Sequence, residues 1–475
     1  MKHLKNIFAA ALTLVVAMTL SVTAFAAGTG SITITPPSGV DSGATNTYKI
    51  YKVFDADASA DGSSVSYKVM ASKAGKDLPT GFVVDAAGNV IHGTKDAEGN
   101  ITPSTATDLT ADEIASIAAY VEGDTPVASP TSTGTAAATA SGLPNGYYYI
   151  TTSTGSVVTI DTAKPNATVN DKNTVPEVDK KITGEVKIDE KGLEAIQEVG
   201  KDVNYESTIT LGKGFKGYVF HDTMTNQVLN GTPVVKAGST AFAVGTDYTL
   251  TVAADNASFE IAFKDDGAIK NLKAGDTITI TYVGTVTSDA LTVDTAHNTA
   301  YVSYGDKDSN NKTPEKETDV YNATIGVEKF DGSTEEPLEG AGFKLKNAEG
   351  KYYKMAADKK SIEWVAAEAD GDEKFTGADG KLTEEFTGLA AGTYTLVETT
   401  VPAGYNKAAD TDVTIDKSSD SANLVQAAAI ENNKGSVLPS TGGMGTTLFY
   451  VVGGLMVAGA AIALIAKNRV AKMEA

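Results

Sequence analysis

Apolar and polar residues alternate along many short segments of this chain of 475 residues. Examples are TYKIYKVF (47–54), DTITITYVGTV (276–286) and YTLVE (394–398), and glycine-rich turns separate such segments from their neighbours. A period of two places successive side chains on opposite faces of a strand, so each segment predicts a strand with one buried face. The chain is therefore predicted to be all-β and built from packed sheets.

One segment in the first third of the chain has helical periodicity. In LTADEIASIAAYVEG (109–123), Glu113 follows Thr110 by three residues, which is the spacing of a capping box. Apolar residues then recur on one helical face: Ile114, Ile117, Ala118 and Val121. We predict a helix that serves packing and has no chemical role.

Both ends of the chain carry export signals. Residues 1–26 combine early lysines, an apolar run and the sequence AFA, which together predict a cleaved signal peptide. Residues 446–466 carry no charge and are long enough to span a bilayer as a helix. The basic tail 467–475 follows, so the positive-inside rule places the region before the span outside the cell.

The length between these ends suggests about three domains. We place them at 28–174, 175–322 and 323–435. The formal net charge of −21 disfavours nucleic acid as a partner. No cysteine is present, so an exported chain of this kind depends on its cores or on a crosslink other than a disulfide.

Signals for catalysis or metal binding are weak. The chain has no nucleophile elbow, phosphate loop or zinc spacing, so we predict no enzyme, no cofactor and no metal site. The acidic segment 306–317 has oxygen ligands at several positions of a calcium loop. However, Asn311 replaces the glycine of the tight turn and Pro314 interrupts the loop, so we interpret the segment as a solvated hairpin loop.

The sequence LPSTGG lies immediately before the predicted span and resembles the sorting signal of Gram-positive surface proteins. The residues of the motif are Leu438, Pro439, Ser440, Thr441 and Gly442. The resemblance implies that a sortase cleaves between Thr441 and Gly442 and transfers the threonine carbonyl to an amine. It also implies a secreted, wall-anchored protein whose precursor is transiently held in the membrane.

The third domain resembles a collagen-adhesin B-type domain, an immunoglobulin-like sandwich, through the segments ATIGVEKF, GTYTLVETTVPAGY and AAAIENNKG. Strand alternation places three polar residues on apolar, inward faces: Lys329, Glu398 and Asn432. Burial lowers the pKa of a lysine and raises that of a carboxylic acid, which favours a neutral, nucleophilic amine. The resemblance implies an intramolecular isopeptide bond from Lys329 to Asn432, promoted by Glu398, with loss of ammonia.

The second domain repeats this pattern and resembles the A-type stalk domain of pilin backbones. PEVDKKI, GYVFHD and HNTAYVSY place Lys180, Asp222 and Asn298 on inward faces. The resemblance implies a bond between Lys180 and Asn298, with Asp222 as the promoting acid. Lys181 falls on the opposite face and is expected in solvent, while Asn322 is a rival acceptor.

The first domain departs from this arrangement. GYYYITT aligns with GTYTLVE of the third domain, but Thr152 stands in the place of Glu398. We therefore predict no isopeptide bond in this domain, although Lys52 and Asn170 are candidates for one.

The segment VNDKN (169–173) is similar to the pilin motif of backbone subunits, which supplies an acceptor lysine to a sortase. The resemblance implies that Lys172 is this acceptor, with Lys164 as a nearby alternative. Asn170 and Asp171 occupy the positions that Tyr-Pro takes in the commonest form of the motif.

Two functions fit these features. The resemblance favours the major subunit of a sortase-assembled pilus, in which Thr441 of one copy is joined to Lys172 of the next. Its partners would be a pilin-type sortase, further copies of itself, minor pilins and peptidoglycan at the base. The alternative is a monomeric adhesin whose Thr441 is joined to peptidoglycan. No host ligand is predicted for either.

Overall fold

The computed structural model describes residues 30–59, 64–106, 108–152, 157–161, 166–213, 216–293, 295–305, 311–416, 424–435 and 444–471. The predicted signal peptide, the sorting motif 438–442 and Lys164 lie outside these residues. The described residues form three successive β-rich domains and a C-terminal helix.

The first domain contains two sheets and one helix. A three-stranded sheet and a larger sheet divide its core into two apolar clusters. Its elements are β1 Gly30–Thr35, β2 Thr45–Ala58, β3 Val65–Lys68, β4 Phe82–Val84, β5 Asn89–Lys95, β6 Ile101–Pro103, α1 Ala111–Tyr120, β7 Thr131–Thr133, β8 Ala138–Leu143, β9 Gly146–Thr152, β10 Val157–Asp161 and β11 Asn166–Asn170. The small sheet has the order β11-β1-β8, and the larger sheet has the path β10-β9-β2-β3-β5-β4.

The predicted capping box of α1 is confirmed. The Thr110 side chain accepts a hydrogen bond from the backbone of Glu113, and the Glu113 carboxylate accepts one from the backbone of Thr110. Ile114, Ile117 and Val121 are buried against the larger sheet. The helix therefore contributes to packing, as its apolar face predicts.

The second domain is a sandwich of two sheets around one apolar cluster. Its elements are β12 Glu177–Thr183, β13 Glu194–Ile196, β14 Asp202–Thr210, β15 Val219–Thr225, β16 Gln227–Ala237, β17 Thr240–Ala241, β18 Tyr248–Val252, β19 Ser258–Phe263, β20 Thr277–Val286, α2 Ala290–Val293, β21 Thr295–Ser303 and β22 Lys316–Tyr321. One sheet has the order β12-β14-β20-β16-β17, and the other has the order β13-β22-β21-β15-β19-β18.

The third domain is a smaller sandwich. Its elements are β23 Ala323–Asp331, β24 Gly342–Lys346, β25 Tyr352–Met355, β26 Ile362–Val365, β27 Lys374–Phe375, β28 Phe386–Leu389, β29 Gly392–Thr400, β30 Thr411–Ile415 and β31 Val425–Asn432. One sheet has the order β28-β23-β31, with β23 and β31 parallel, and the other has the path β26-β25-β24-β29-β30. The predicted all-β fold is confirmed in all three domains.

A segment of the second domain reaches the core of the third. Ile196 is 1 % exposed and belongs to the apolar cluster of the third domain. The Val199 amide donates to the Gly388 carbonyl at 3.0 Å, and the Trp364 indole donates to the Glu198 carboxylate at 2.9 Å. Apolar burial and two hydrogen bonds therefore join these domains.

The junction between the first and second domains is polar and corrects one prediction. Asn311 is fully buried, and its side-chain Nδ2 donates to the side-chain Oδ1 of Asn46 at 2.9 Å. Thr313 is also buried. The interpretation of 306–317 as a solvated loop is thus wrong for these two residues: Asn311 lies in the junction, and Thr313 exchanges hydrogen bonds with Val302 of β21. Residues 306–310 are outside the described residues.

The C-terminal helix is α3, Met444–Ala471. Its described side chains, at 448–464, are exposed. Among the residues that the structure describes, no helix is long and apolar enough to cross a membrane.

Candidate functional site

The second domain brings its predicted polar residues together inside the sandwich. Lys180 lies on β12 in one sheet, while Asp222 on β15 and Asn298 on β21 lie in the facing sheet. Asp222 is paired with Ala300 and Asn298 with Met224, so the acid and the amide are diagonal neighbours on adjacent strands. Lys180, Asp222 and Asn298 are at most 4 % exposed, which confirms the burial predicted from strand alternation.

Hydrogen bonds connect the three groups through a fourth. The Lys180 ammonium lies 2.7 Å from Asp222 Oδ2. The Tyr282 hydroxyl donates to the same carboxylate oxygen at 2.5 Å and also contacts the Lys180 nitrogen. Asn298 Nδ2 donates to the Tyr282 oxygen at 3.5 Å. The nucleophile, the acid and the amide therefore form one buried cluster.

Burial shifts the pKa values of this cluster toward the neutral forms. Desolvation lowers the pKa of Lys180, and the charge of Asp222 opposes this shift. Desolvation also raises the pKa of Asp222, against the effects of Lys180, Tyr282 and Asn298. Transfer of the lysine proton to the aspartate removes both charges from the apolar interior. Such a transfer leaves a neutral amine in the same buried cluster as the Asn298 amide.

Tyr282 was not predicted as a site residue. It lies on β20 on the same inward face as Ile278 and Ile280 and is 4 % exposed. Strand alternation alone predicts its burial, and a buried phenol requires a hydrogen-bond partner. The sequence therefore contained a signal for its participation, although not for its partners.

The third domain assembles its three predicted groups differently. Lys329 on β23 and Asn432 on β31 lie on adjacent parallel strands of one sheet, and Glu398 lies on β29 in the other sheet. The Lys329 nitrogen donates to the Ile430 carbonyl at 2.9 Å. Glu398 accepts one hydrogen bond from Asn432 Nδ2 at 2.7 Å and one from the Ala408 amide at 2.6 Å.

These three residues are each 1 % exposed. Desolvation lowers the pKa of Lys329, and the acids Glu398 and Glu431 oppose this shift. The side-chain carbonyl oxygen of Asn432 has no hydrogen-bond partner among the described residues. A buried amine of lowered basicity thus lies on the strand next to an amide whose nitrogen is held by a carboxylate.

The rival acceptor and the first-domain candidates are placed elsewhere. Asn322 donates through its side chain to the Ala290 carbonyl at 3.1 Å. Lys52 forms an ion pair with Asp55 at 2.7 Å, while Asn170 is exposed. Thr152 is buried at the end of β9. Within the described part of the chain, no hydrogen bond or ion pair joins Lys52 to Asn170 or Asn322 to Lys180.

The predicted acceptor Lys172 lies in the segment that connects the first and second domains. It follows β11, and its side chain is exposed. The neighbouring Asp171 is buried and accepts hydrogen bonds from the Tyr48 hydroxyl at 3.4 Å and from the Asn173 backbone at 3.1 Å. The Asp171 amide donates to the Thr35 carbonyl at 2.8 Å. Hydrogen bonds on both sides of Lys172 therefore fix its backbone, while its side chain is exposed to solvent.

One group of possible metal ligands was not predicted. His297, Glu317 and Asp319 lie on the outer face of β21 and β22, and their ligand atoms lie within 4.8 Å of one another. His297 Nδ1 lies 2.5 Å from Asp319 Oδ1, which is an ordinary partner for an imidazole. The absence of a metal site stays a prediction from the sequence.

Comparison with known proteins places the chain in a family. Residues 323–428 match the prealbumin-like fold domain family SpaA, and residues 430–472 match the LPXTG cell wall anchor motif. The chain is also 30% identical to the pilus 2b backbone protein of group B streptococcus, over 55% of this chain and 99% of that protein, with a TM-score of 0.44. This chain belongs to the family of Gram-positive pilus backbone proteins. The family predicted from the sequence is confirmed.

This backbone pilin also resembles more distant solved structures. The T6 backbone pilin of serotype M6 Streptococcus pyogenes is 18% identical, over 83% of this chain and 81% of that one, with a TM-score of 0.49. RrgB of Streptococcus pneumoniae is 16% identical, over 88% of this chain and 100% of that one, with a TM-score of 0.45. Comparison with curated protein sequences found no match.

The family and the anchor motif together define the general role of the chain. It is a structural subunit of a pilus and is anchored to the cell wall at the surface. The prediction of a backbone subunit is confirmed at this level. The roles of individual lysines, acids and amides stay predictions.

Proposed function

We propose that this backbone pilin forms a covalent fibre in which Thr441 of one copy is joined to Lys172 of the next. A pilin-type sortase cleaves the bond between Thr441 and Gly442 and transfers the threonine carbonyl to the Lys172 amine. Minor pilins join the same fibre, and peptidoglycan receives its base. The fibre supports cell adhesion, and the chain has no enzymatic activity on an external substrate.

The exposure of Lys172 on a held backbone is the observation that carries this proposal. An acceptor amine must reach the active site of another protein, so it has to be accessible and unpaired. Lys172 is exposed, and no ion pair involves it among the described residues. Lys180, only a short distance along the chain, is completely enclosed. Lys181 is accessible but forms an ion pair with Glu206 at 2.7 Å.

Two intramolecular isopeptide bonds complete the proposal: Lys180 to Asn298 in the second domain and Lys329 to Asn432 in the third. Asp222 and Glu398 act as the promoting acids. The burial of each lysine beside an amide and an acid supports this chemistry, because enclosure favours the neutral amine and holds it close to its target. Each bond forms when the amine attacks the amide carbon and ammonia leaves.

The two proposed bonds would lie in the part of the chain that carries tension along the fibre. Tension enters a subunit at Lys172 and leaves it at Thr441, so the second and third domains lie between the two points of attachment. The first domain precedes Lys172 in the chain and lies outside that covalent path. A crosslink in each loaded domain and none in the first fits this distribution of force.

Polymer formation in a Gram-positive host that expresses a pilin-type sortase tests the acceptor assignment. Lys172→Ala should abolish the ladder of high-molecular-weight species on denaturing gels, because the acceptor amine is removed. Lys181→Ala is the matched control and should leave the ladder unchanged, since it removes an exposed lysine of the same segment. Lys164→Ala tests the rival acceptor.

A ladder that persists in Lys172→Ala and disappears in Lys164→Ala would move the acceptor to Lys164. Wild-type protein that remains monomeric on the wall in the presence of the sortase would instead support the anchored adhesin. Wall extracts treated with a muralytic enzyme distinguish the two states by size.

A further inference from the structure

A single hydroxyl group connects the reacting atoms of the second domain. The Tyr282 oxygen contacts the Lys180 nitrogen, donates to Asp222 Oδ2 and accepts from Asn298 Nδ2. These contacts are with the nucleophile, the acid and the nitrogen that leaves as ammonia. No other described side chain forms hydrogen bonds with all three.

We propose that Tyr282 is a catalytic residue of the second domain, and that its hydroxyl relays a proton from the attacking lysine nitrogen to the departing amide nitrogen of Asn298. This inference rests on the proposed function, since it concerns how the proposed Lys180–Asn298 bond forms. It adds a phenol to the lysine, acid and amide that the sequence resemblance implies.

The proton balance of the reaction requires such a transfer. The Lys180 ammonium first gives one proton to the Asp222 carboxylate, and the resulting amine attacks the Asn298 side-chain carbon. The new C–N bond leaves an excess proton on the lysine nitrogen. Tyr282 accepts that proton while it gives its own to Asn298 Nδ2. The carbon–Nδ2 bond then breaks, ammonia leaves and the phenol is restored.

Two unpartnered oxygens support the accompanying role of Asp222. Asp222 Oδ1 and the Asn298 carbonyl oxygen are buried and have no hydrogen-bond partner among the described residues. Buried acceptors without donors are costly. A proton on Asp222 would supply a donor within the same buried cluster, and such a donor stabilises the negative charge that develops on the amide oxygen during attack. In this scheme, the proton that Asp222 takes from Lys180 stabilises the amide oxygen, and the proton of the Tyr282 phenol goes to Asn298 Nδ2.

The protein keeps the phenol neutral and in place. Burial raises the pKa of Tyr282 well above its ordinary value, so its hydroxyl retains a proton to donate. Its ring stacks on that of Tyr205, with 5.4 Å between ring centroids, and forms an edge-to-face contact with Phe259, with 5.0 Å between centroids. These ring contacts do not depend on the hydroxyl group. Tyr282→Phe therefore removes the proposed relay while it keeps most of the packing.

The third domain provides an internal comparison. There the Glu398 carboxylate accepts a hydrogen bond directly from Asn432 Nδ2 at 2.7 Å. The acid itself can therefore exchange protons with the leaving nitrogen. Tyr394, four residues before Glu398 on β29, donates its hydroxyl to the Ala390 carbonyl at 2.9 Å, and Tyr405 donates its hydroxyl to Asp331. Loss of the Tyr282 hydroxyl is thus expected to slow bond formation in the second domain and not in the third.

Maturation of the full-length chain tests the relay. The chain is produced in a host without sortase, labelled by a short pulse and digested after increasing times. Mass spectrometry then measures the linked peptides of Lys180–Asn298 and Lys329–Asn432. Tyr282→Phe should slow the first bond by about 100-fold, the lower end for loss of a general acid–base group. The second bond should form at the wild-type rate.

Tyr218→Phe is the matched control. Tyr218 is buried in the same apolar cluster, and its hydroxyl bonds to the backbone of Gly212, away from the reacting groups. This variant should form both bonds at the wild-type rate. A Lys180–Asn298 bond that forms equally fast in Tyr282→Phe and wild type would overturn the relay but leave the proposed crosslinks intact. Wild-type chain without the bond would overturn both.

A structural measurement covers the case in which Tyr282→Phe does not fold. Asn298→Ala prevents the bond and preserves the lysine, the acid and the phenol. In its crystal structure the Tyr282 oxygen should lie within about 3.2 Å of both the Lys180 nitrogen and an Asp222 oxygen. A phenol turned away from either group would contradict the relay.

Discussion

The second and third domains place the same three kinds of group in different relations to their sheets. In the second domain, Lys180 lies in one sheet while Asp222 and Asn298 lie in the other, so the proposed bond joins the two layers of the sandwich. In the third domain, Lys329 and Asn432 lie on neighbouring strands of one sheet, so the proposed bond would join the first and last strands of the domain.

The hydrogen bonds differ in a corresponding way. Lys180 is ion-paired to its acid before any reaction, whereas Lys329 donates to the backbone of Ile430 and its acid holds the amide. Both arrangements bury the amine and remove water from the site. Enclosure of the amine together with an amide and an acid is the feature that the two sites share. The order in which the groups contact one another can vary.

Among the changes considered for these two domains, removal of the acceptor amides should lower the stability most. Asn298→Ala should destabilise the second domain, and Asn432→Ala the third, by about 5 kcal/mol each, by analogy with a disulfide that closes a loop of about 100 residues. Calorimetry of the full chain should show that only the transition of the altered domain moves to lower temperature.

Lys181→Ala serves as the control for these two variants, since it changes an exposed residue next to the reactive lysine and should move neither transition. Unchanged transitions in both amide variants would show that neither bond contributes to stability. A loss of both transitions on removal of one amide would show that the domains do not unfold separately.

A smaller effect on stability is expected from the titration of Glu198, which lies where the second and third domains meet. Burial raises the pKa of Glu198, with Trp364 and Lys201 opposing the shift. The folded state thus binds the proton more tightly than the unfolded state, so stability falls as pH rises from the unfolded pKa through the raised folded value. Glu198→Gln should remove this dependence and raise the Tm at neutral pH by on the order of 2 °C.

Fluorescence gives a local readout of this joint because Trp364 is the single tryptophan of the chain. Its indole donates to Glu198, and the amide oxygen of glutamine can accept the same hydrogen bond. Glu190→Gln, at an exposed position of the second domain, is a control for the change of charge. A pH dependence of stability that is equal in wild type and Glu198→Gln would show that this carboxyl does not titrate between the two states.

Strand alternation was sufficient to predict the burial of the polar residues at the two proposed crosslink sites. Lys180 and Lys181 are adjacent, and the period of two assigned the first to the interior and the second to solvent, as the structure has them. The family resemblance supplied the identity of the acids and amides. These are local properties of strands and motifs, so a single sequence contains them.

Contacts across the sandwich could not be predicted in the same way. The approach of Tyr282 to Lys180 depends on how two sheets pack, which alternation within one strand does not specify. The preference of Lys329 for the Ile430 carbonyl depends on the register of two parallel strands distant in sequence. Asn311 is buried for a similar reason, because its partner Asn46 belongs to another domain.

The intact mass of the full-length chain, produced without sortase and corrected for signal-peptide cleavage, reports directly on both proposed isopeptide bonds. This mass should be lower than that of the unmodified chain by two ammonia equivalents. Asn298→Ala and Asn432→Ala should each restore one equivalent, apart from the mass of the substitution itself. A wild-type mass equal to that of the unmodified chain would contradict the crosslinks in both domains.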